Sequence, residues 1–226
     1  MTKTAAWVDL GLMEYQQAYA LQTELVEQCR TNTHRIVFLV LEHPPVFTLG
    51  RRGGQEHLVV PQELLKEKNI DLIHIERGGE VTYHGPGQII VYPIFHLRKL
   101  QLSVSSYVHQ LEEVMLLAAR DVGVLSGRDE RNHGIWVGNK KMGSIGIAIR
   151  HGVTFHGLGL NVATDLTPFS WINPCGLTNT KMTSISAEKG SQVSVDQVKQ
   201  RLFNHCSKTL QLTFTQMNLQ ELGSFA

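Results

Sequence analysis

The chain has 226 residues, 42% of them apolar and 18% charged, so it can build a full hydrophobic core. A formal net charge of +1 gives no electrostatic reason to expect nucleic acid or an anionic membrane as a partner. No stretch approaches the ~18 apolar residues that a membrane span needs, and the amino terminus lacks the apolar run of a signal peptide. We therefore expect a single domain over residues 1–226 that resides in the cytoplasm.

Apolar periodicity predicts the secondary structure in chain order. Helices are predicted over residues 13–29 and 61–68, after a cap at Ser103 or one of its neighbours, and from Ser194, where Gln197 completes a capping-box pattern. Strands are predicted over residues 35–41, 46–49, 71–75, 88–97, 134–137, 144–149, 154–162 and 212–217. The strands cluster in the middle of the chain as adjacent pairs, which favours a mixed α/β fold with helices on a mixed or antiparallel sheet. Residues 163–193 show no clear period, and the tail from Asn218 is expected to be less ordered.

The three cysteines fall into two classes. Cys29 and Cys206 lie on apolar helical stripes and are expected to be buried as small hydrophobes. Cys175 lies in the sequence Asn173-Pro-Cys-Gly176, where proline and glycine indicate a tight loop. A catalytic or ligand role for Cys175 stands beside the alternative of a loop thiol without a role. An odd count at wide spacing predicts neither a disulfide framework nor a zinc site.

A glycine-rich segment, residues 77–88, joins two predicted strands and carries four glycines and a proline among polar side chains. Glycine lets the backbone approach a ligand closely and leaves N–H groups exposed. The functional interpretation is a loop that wraps a ligand; the alternative is an elaborate turn whose glycines serve geometry alone. The segment is neither a Walker loop nor a Rossmann fingerprint.

Two further segments are candidates for the site. Residues 139–146 place Lys140 and Lys141 at the entry to an apolar strand, where they form either a solvated turn or a site in which one lysine points inward. Residues 156–161 place small residues within a strand, which suggests close approach by a ligand or by backbone. The eleven histidines show no convincing metal constellation, so no metal is expected.

Taken together, five motifs resemble, in this order, those of the octanoyltransferases of lipoate biosynthesis. These motifs are residues 42–50, 77–88, 141–146, 156–162 and 173–176. The resemblance runs from about residue 7 to about residue 210 and includes two specific motifs, the glycine-rich segment and Asn-Pro-Cys-Gly. Glu80 and the pair Gly143-Ser144 are small departures that leave the chemistry intact.

The resemblance implies a mixed α/β (α+β) fold with flanking helices and a smaller sheet, as in lipoate–protein and biotin protein ligases. It implies transfer of an octanoyl group from octanoyl-acyl carrier protein to a lysine of lipoyl domains. Such domains belong to 2-oxoacid dehydrogenases and to the glycine-cleavage H protein. No cofactor is expected, and nothing demands more than a monomer.

The resemblance also assigns roles to residues. It carries a cysteine nucleophile onto Cys175 and a partner lysine onto Lys141, whereas Lys140 does not match that position. The acyl-binding residues that it implies lie in three segments. They are Arg77, Gly78, Gly79, Glu80, Val81, Thr82, Tyr83, His84, Ser144, Ile145, Gly146, Gly157, Leu158 and Gly159.

The chemistry of this pair follows from the thiol. A thiol is a poor nucleophile until it is deprotonated, and a nearby amine can favour the thiolate or take its proton. Because each group shifts the other, the pair is expected to titrate as a unit. Three alternatives remain: an ATP-dependent lipoate–protein ligase, a thioesterase that passes the acyl group to water, and a non-catalytic acyl-binding module.

Overall fold

The computed structural model describes residues 3–173, 180–223 and 225. Its strands are β1 (Lys3–Leu12), β2 (Ile36–Glu42), β3 (Val46–Leu49), β4 (Asp71–His74), β5 (Val81–His84), β6 (Gln88–Phe95), β7 (Gly134–Val137), β8 (Lys140–Arg150), β9 (Val153–Asn161), β10 (Lys181–Met182) and β11 (Leu212–Met217). Its helices are α1 (Tyr15–Thr31), α2 (Gln62–Glu67), α3 (Leu97–Leu100), α4 (Val104–Asp121), α5 (Ile185–Lys189), α6 (Val195–Leu210) and α7 (Leu219–Leu222).

The strands form two sheets. The large sheet has the order β10-β8-β9-β6-β2-β1-β11, with β7 paired to β8, and the small sheet has the order β4-β3-β5. In the large sheet β1 runs parallel to β2 and β11, and β10 runs parallel to β8, whereas β2, β6, β9, β8 and β7 pair antiparallel. A mixed sheet with helices and a second, smaller sheet confirms the predicted fold class.

Strand β2 shows how the large sheet is covered on both faces. Its side chains alternate between two cores: Phe38 packs in the core that holds α4 and α6, while Leu39 packs in the core that holds α1. A strand buried on both faces reads as a continuous apolar run, which is why the sequence predicted it so directly. The small sheet has a third core of its own, which includes Phe47 and Leu49 of β3.

Two serines begin helices as the sequence predicted. Ser103 Oγ accepts a hydrogen bond from the N–H of Ser106 at the start of α4, and Ser194 Oγ accepts one from Gln197 at the start of α6. Each bond satisfies a backbone N–H that has no partner within the helix.

The prediction of a less ordered tail was wrong for residues 218–222. Asn218 and Glu221 form a reciprocal capping box at the start of α7. Leu222 is buried in the core that holds α1, and its carbonyl accepts a hydrogen bond from Arg35 at 2.6 Å. Tertiary burial thus holds a helix that is too short to be stable alone.

Within the described part of the chain, no helix is both long enough and apolar enough to cross a membrane.

Candidate active site

One pocket gathers most of the residues that the sequence singled out. It encloses about 630 Å³ of empty space, open mouth included. It is lined by Arg77, Gly78, Gly79, Val81, Thr82, His84, Lys141, Ser144, Ile145, Gly146, Gly157, Leu158 and Gly159 of the predicted set, and by Tyr15, Gln88, Ile90, Tyr92, Asn132 and His156.

The floor of this pocket consists of positions with little or no side chain on neighbouring strands. Ser144 pairs with Gly159, and Gly146 pairs with Gly157, so these residues share one face of the sheet. Ile90 of β6 pairs with Gly159 and lies on the same face. Because side chains alternate along a strand, a run of small residues on one face leaves a trough above the backbone.

Arg77 holds the glycine-rich segment in place. The side chain is only 7% exposed. Its guanidinium donates to Thr48 O at 2.6 Å, to Thr48 Oγ1 at 2.9 Å, to Gly78 O at 3.0 Å and to Glu80 O at 3.1 Å. The N–H of Gly78 donates to Ile147 O of β8 at 2.9 Å, which ties the segment to the pocket floor. These bonds give the Arg77 side chain a structural role in shaping the wall.

The second half of the segment is a strand and not a loop. Residues 81–84 form β5, which pairs with β3. Tyr83 points away from the pocket into the core of the small sheet, where its ring centroid lies 5.3 Å from that of Phe47. Glu80 does not line the pocket either, and its carboxylate lies 3.7 Å from Arg52. Of the fourteen residues predicted to bind acyl, these two are the ones that do not line the pocket.

His84 lines the pocket, and the buried ring of His43 lies beside it, with the two ring centroids 5.8 Å apart. Burial lowers the pKa of His84 to about 3 and that of His43 to about 4, because a charged ring would lose its hydration. His43 Nδ1 lies 2.7 Å from the carbonyl of Met13, which can only accept, so Nδ1 carries the proton. His43 Nε2 then accepts from Tyr92 OH at 2.9 Å. The Tyr92 hydroxyl hydrogen is therefore directed to His43, and its oxygen can still accept.

His156 combines backbone strain with a buried ring. It adopts φ +55° within β9, a left-handed conformation that is unusual for a residue other than glycine. Its N–H turns to the side chain of Gln22, where it donates to Oε1 at 2.8 Å. Burial lowers the pKa of His156 to about 3, and its Nε2 has no hydrogen-bond partner among residues 3–173, 180–223 and 225. The ring, stacked on Tyr19, is thus a neutral wall of the pocket.

The structure separates the two adjacent lysines. Lys140 is 40% exposed and pairs with the carboxylate of Glu188. Lys141 is 1% exposed and donates from Nζ to Asn132 Oδ1 at 2.8 Å. Lys141 points inward at the pocket wall, which agrees with the second of the two interpretations that the sequence left open, a site in which one lysine points inward.

The cysteines that the structure describes are buried. Cys29 and Cys206 are 0% exposed, and burial raises the pKa of Cys29 to about 12 and that of Cys206 further still. Cys175, the predicted nucleophile, lies outside the described residues. Strand β10 pairs with β8, where Met182 lies opposite Lys141, and the N–H of Thr183 donates to Lys141 O at 2.9 Å.

Sequence reasoning missed several residues of the pocket. Asn132 lies in a segment that no pattern singled out, and Tyr15 lies on the apolar stripe of the helix predicted over residues 13–29, where it was interpreted as core. Only the fold brings the two residues to the wall. Tyr92 lies in a strand that was predicted, but as an ordinary core position. His156 opens a motif that was singled out for its small residues, and the motif's histidine was the signal that could have identified it.

Among the described residues, no group of three or more histidine, cysteine or acidic side chains could hold a metal ion.

Comparisons of the sequence with known proteins identify a family and individual relatives. Residues 14–207 match the family described as the lipoyl protein ligase A/B catalytic domain. An octanoyltransferase of Desulfotalea psychrophila is 53% identical over 200 residues, which cover 87% of this chain and 90% of the relative. An octanoyltransferase of Caldanaerobacter subterraneus subsp. tengcongensis is 38% identical over 215 residues, which cover 95% and 93%.

Solved structures agree on the fold. A lipoate-protein ligase A bound with ATP has a TM-score of 0.82 at 18% identity and covers 98% of this chain and 91% of its own. A bi-partite lipoate protein ligase from Thermoplasma acidophilum, studied with its E2 lipoyl domain, has a TM-score of 0.78 at 19% identity and covers 98% and 89%. The sequence match, the shared fold and the pocket lead to one conclusion: the chain belongs to the octanoyltransferase family, on the lipoyl protein ligase A/B catalytic fold.

Proposed function

We propose that this protein transfers an octanoyl group from octanoyl-acyl carrier protein to a lysine of a lipoyl domain, through a thioester on Cys175. The observation that carries the proposal is a buried lysine, Lys141, in the wall of a pocket whose floor lacks side chains. Relatives named octanoyltransferase at 53% and 38% identity support the same reaction.

The trough above Gly146, Gly157 and Gly159 is proposed to hold the octanoyl tail. Ile90 of β6 supplies apolar surface beside these glycines. Each buried CH₂ contributes roughly 0.8 kcal/mol, so selection for chain length is expected to be graded. The remaining residues that the family resemblance assigned to acyl binding are proposed to form the wall of the same pocket. Glu80 and Tyr83 are the exceptions: they are proposed to support this wall from outside the pocket, Glu80 in the loop before β5 and Tyr83 in the core of the small sheet.

The first half-reaction forms the acyl-enzyme. The Cys175 thiolate attacks the thioester carbonyl, a new carbon–sulfur bond forms, and the bond to the carrier thiol breaks. The departing thiolate takes a proton from the Lys141 ammonium, which leaves Lys141 neutral. One thioester replaces another, so no ATP is consumed.

The second half-reaction makes the amide. The acceptor lysine arrives as an ammonium, and neutral Lys141 removes a proton so that the free amine can attack the acyl-enzyme. The carbon–sulfur bond to Cys175 breaks, the nitrogen of the new amide gives up its second proton to solvent, and the Cys175 thiolate and the Lys141 ammonium are restored. A thiolate nucleophile needs a compartment that keeps thiols reduced, so the proposal includes a cytoplasmic location. Acceptors are proposed to be lipoyl domains of 2-oxoacid dehydrogenases and the glycine-cleavage H protein.

Intact-mass measurement tests the proposal. Incubation with octanoyl-acyl carrier protein is expected to add one octanoyl group, removed again when a lipoyl domain is supplied. Cys175→Ser is expected to abolish the adduct, whereas Cys29→Ser and Cys206→Ser serve as matched controls that retain it. An adduct on either control cysteine, or transfer that requires ATP and survives loss of Cys175, would contradict the proposal. The ATP result would instead favour a ligase.

A further inference from the structure

We propose that Asn132 is a positioning residue for Lys141: its neutral amide oxygen holds the side-chain nitrogen at the pocket wall and leaves the amine able to lose its proton. The catalytic meaning of this inference rests on the proposed function. The geometric claim stands on the contacts of Asn132 alone.

The Asn132 side chain is aimed at Lys141 by the neighbouring strand. Trp136 of β7 lies directly opposite Lys141 of β8. The Trp136 indole N–H donates to the carbonyl of Asn132 at 3.3 Å, and the ring centroid lies 5.4 Å from Lys141 Nζ. Trp136 is itself fixed by two backbone hydrogen bonds of 2.8 Å to Gly127. Trp136 therefore holds the loop that carries Asn132 and also forms the apolar wall beside the Lys141 amine.

The adjacent lysine provides the contrast. Lys140 pairs with a carboxylate, Glu188, while Lys141 donates to an amide. A carboxylate within hydrogen-bond distance favours the ammonium strongly and opposes its deprotonation. A neutral amide oxygen orients the nitrogen without adding a negative charge. A lysine with four rotatable bonds also loses much freedom when it is held, which brings the amine closer to a reactive geometry before substrate arrives.

Among the described residues, two ion pairs lie near Lys141. Asp129 precedes Asn132 on the same loop and is engaged by both Nε and Nη2 of Arg131 at 2.7 Å. The Arg131 hydrogen bonds, with a smaller contribution from the Lys141 charge, lower the pKa of Asp129 to about 2. The guanidinium carbon of Arg131 lies 4.5 Å from the centroid of the Trp136 ring, which also lies beside Lys141. On the paired strands, Lys140 is matched by Glu188, and Lys181 of β10 lies opposite Lys140.

The test measures Lys141 in the resting enzyme and in turnover. Asn132→Asp places a carboxylate where the amide stood, with almost no change in size. It is expected to raise the pH midpoint for competitive chemical labelling of the Lys141 amine by roughly one to three pH units. The acid limb of the kcat profile for octanoyl transfer is expected to move in the same direction. Asn139→Asp is the matched control, because it adds the same charge at an exposed turn position between β7 and β8 and should leave both midpoints unchanged.

Asn132→Ala removes the acceptor. It is expected to lower kcat about 10- to 100-fold while KM for the octanoyl donor changes by less than about twofold, as misplacement of a base would. If Asn132→Ala proves unstable in urea unfolding, the isosteric Asp variant still decides. An equal labelling midpoint in Asn132→Asp and Asn139→Asp would overturn the inference. Labelling needs no substrate, so it decides the contact even if wild-type enzyme transfers no octanoyl group, a result that would instead refute the proposed function.

Discussion

Gln88 of β6 and Asn161 of β9 face each other across the large sheet, and Gln88 Nε2 donates to Asn161 Oδ1 at 2.8 Å. Asn161 Nδ2 in turn donates to Thr183 O at 3.0 Å, and the N–H of Thr183 donates to the carbonyl of Lys141. A directed chain of hydrogen bonds thus joins the strand after the glycine-rich segment to the backbone of Lys141. The same chain leaves Gln88 Oε1 as the acceptor for His84 Nδ1, 2.7 Å away.

The first prediction concerns the tautomer of His84. Because Thr183 O can only accept, every donor in the chain is fixed, and His84 is expected to carry its proton on Nδ1. Long-range ¹H–¹⁵N NMR of the free protein at neutral pH measures this directly. Gln88→Leu is expected to remove the preference and to lower the free energy of unfolding by about 1–3 kcal/mol, since buried polar partners lose their bonds.

Gln200→Leu is the matched control for that change. Gln200 lies on the exposed face of α6, so its loss is expected to alter the free energy of unfolding by less than about 0.5 kcal/mol. A proton found on Nε2 of His84 in the wild-type protein would show that the amide orientations are reversed.

The second prediction is a loss of stability in mild acid. The pKa values of His43, His84 and His156 are lowered by burial from 6.5 to about 4, 3 and 3. Between those values and 6.5 the unfolded chain binds more protons than the folded one, so the free energy of unfolding falls as the pH falls through this window. At pH 5 each histidine is expected to remove roughly 2 kcal/mol of the stability present at pH 7.

Urea unfolding at pH 7 and pH 5 measures that difference. His43→Gln is expected to be less stable at pH 7 but to show a smaller difference between the two pH values, because one of the titrating rings is gone. His109→Gln, at an exposed position of α4, is expected to keep the wild-type difference. Equal stability of the wild-type protein at both pH values would mean that these rings are protonated in the folded state.

Sequence patterns located the strands that are bounded by clear signals. The predicted limits of β3, β7 and β11 match those observed, because short apolar runs there end at glycine or polar residues. Strand β1 was missed, since Ala5 to Val8 form a brief apolar run and its partners β2 and β11 lie far away in sequence. Long-range parallel pairing leaves no local signature in a single sequence.

The residues of the pocket likewise include some that the sequence could predict and some that it could not. Its glycine-rich walls and Lys141 could be predicted, because glycines within strands and an inward lysine are unusual in sequence and match a family pattern. Asn132 could not be predicted, because its contact with Lys141 depends on the register between β7 and β8 and on a loop without any pattern. Tyr83 packs in the core of the small sheet because side chains alternate along β5. The glycine-rich sequence around this strand did not predict it.

The third prediction concerns acyl length. A Cβ added at Gly159 would lie 3.3 Å from Ile90 Cδ1 and 3.4 Å from Gln88 Oε1, which small side-chain shifts can accommodate. Gly159→Ala is therefore expected to fold and to narrow the trough. The ratio of octanoyl to hexanoyl transfer, measured as kcat/KM, is expected to fall roughly threefold to tenfold.

Two other glycines supply the controls for acyl length. A Cβ at Gly157 would lie 2.1 Å from the carbonyl oxygen of Val91, so Gly157→Ala is expected to lower stability and not merely to change selectivity. A Cβ at Gly127 would meet open space, so Gly127→Ala is expected to leave both properties unchanged. An unchanged acyl ratio in a well-folded Gly159→Ala variant would place the octanoyl tail elsewhere.

The fourth prediction tests the proposed pair of Lys141 and Cys175. If the Lys141 amine lies beside the Cys175 thiol, its ammonium form stabilises the thiolate and lowers the pKa of the thiol. Lys141→Ala is then expected to shift the pH profile for alkylation of Cys175 by iodoacetamide upward by roughly one to three units. Lys140→Ala is the matched control. It removes the same charge from the neighbouring residue, whose side chain pairs with Glu188 and not with the pocket. Buried Cys29 and Cys206 should remain unlabelled in the folded protein, so the profile reports one thiol. If the two alanine variants give the same profile as the wild-type enzyme, the base for the second half-reaction must be sought elsewhere in the pocket.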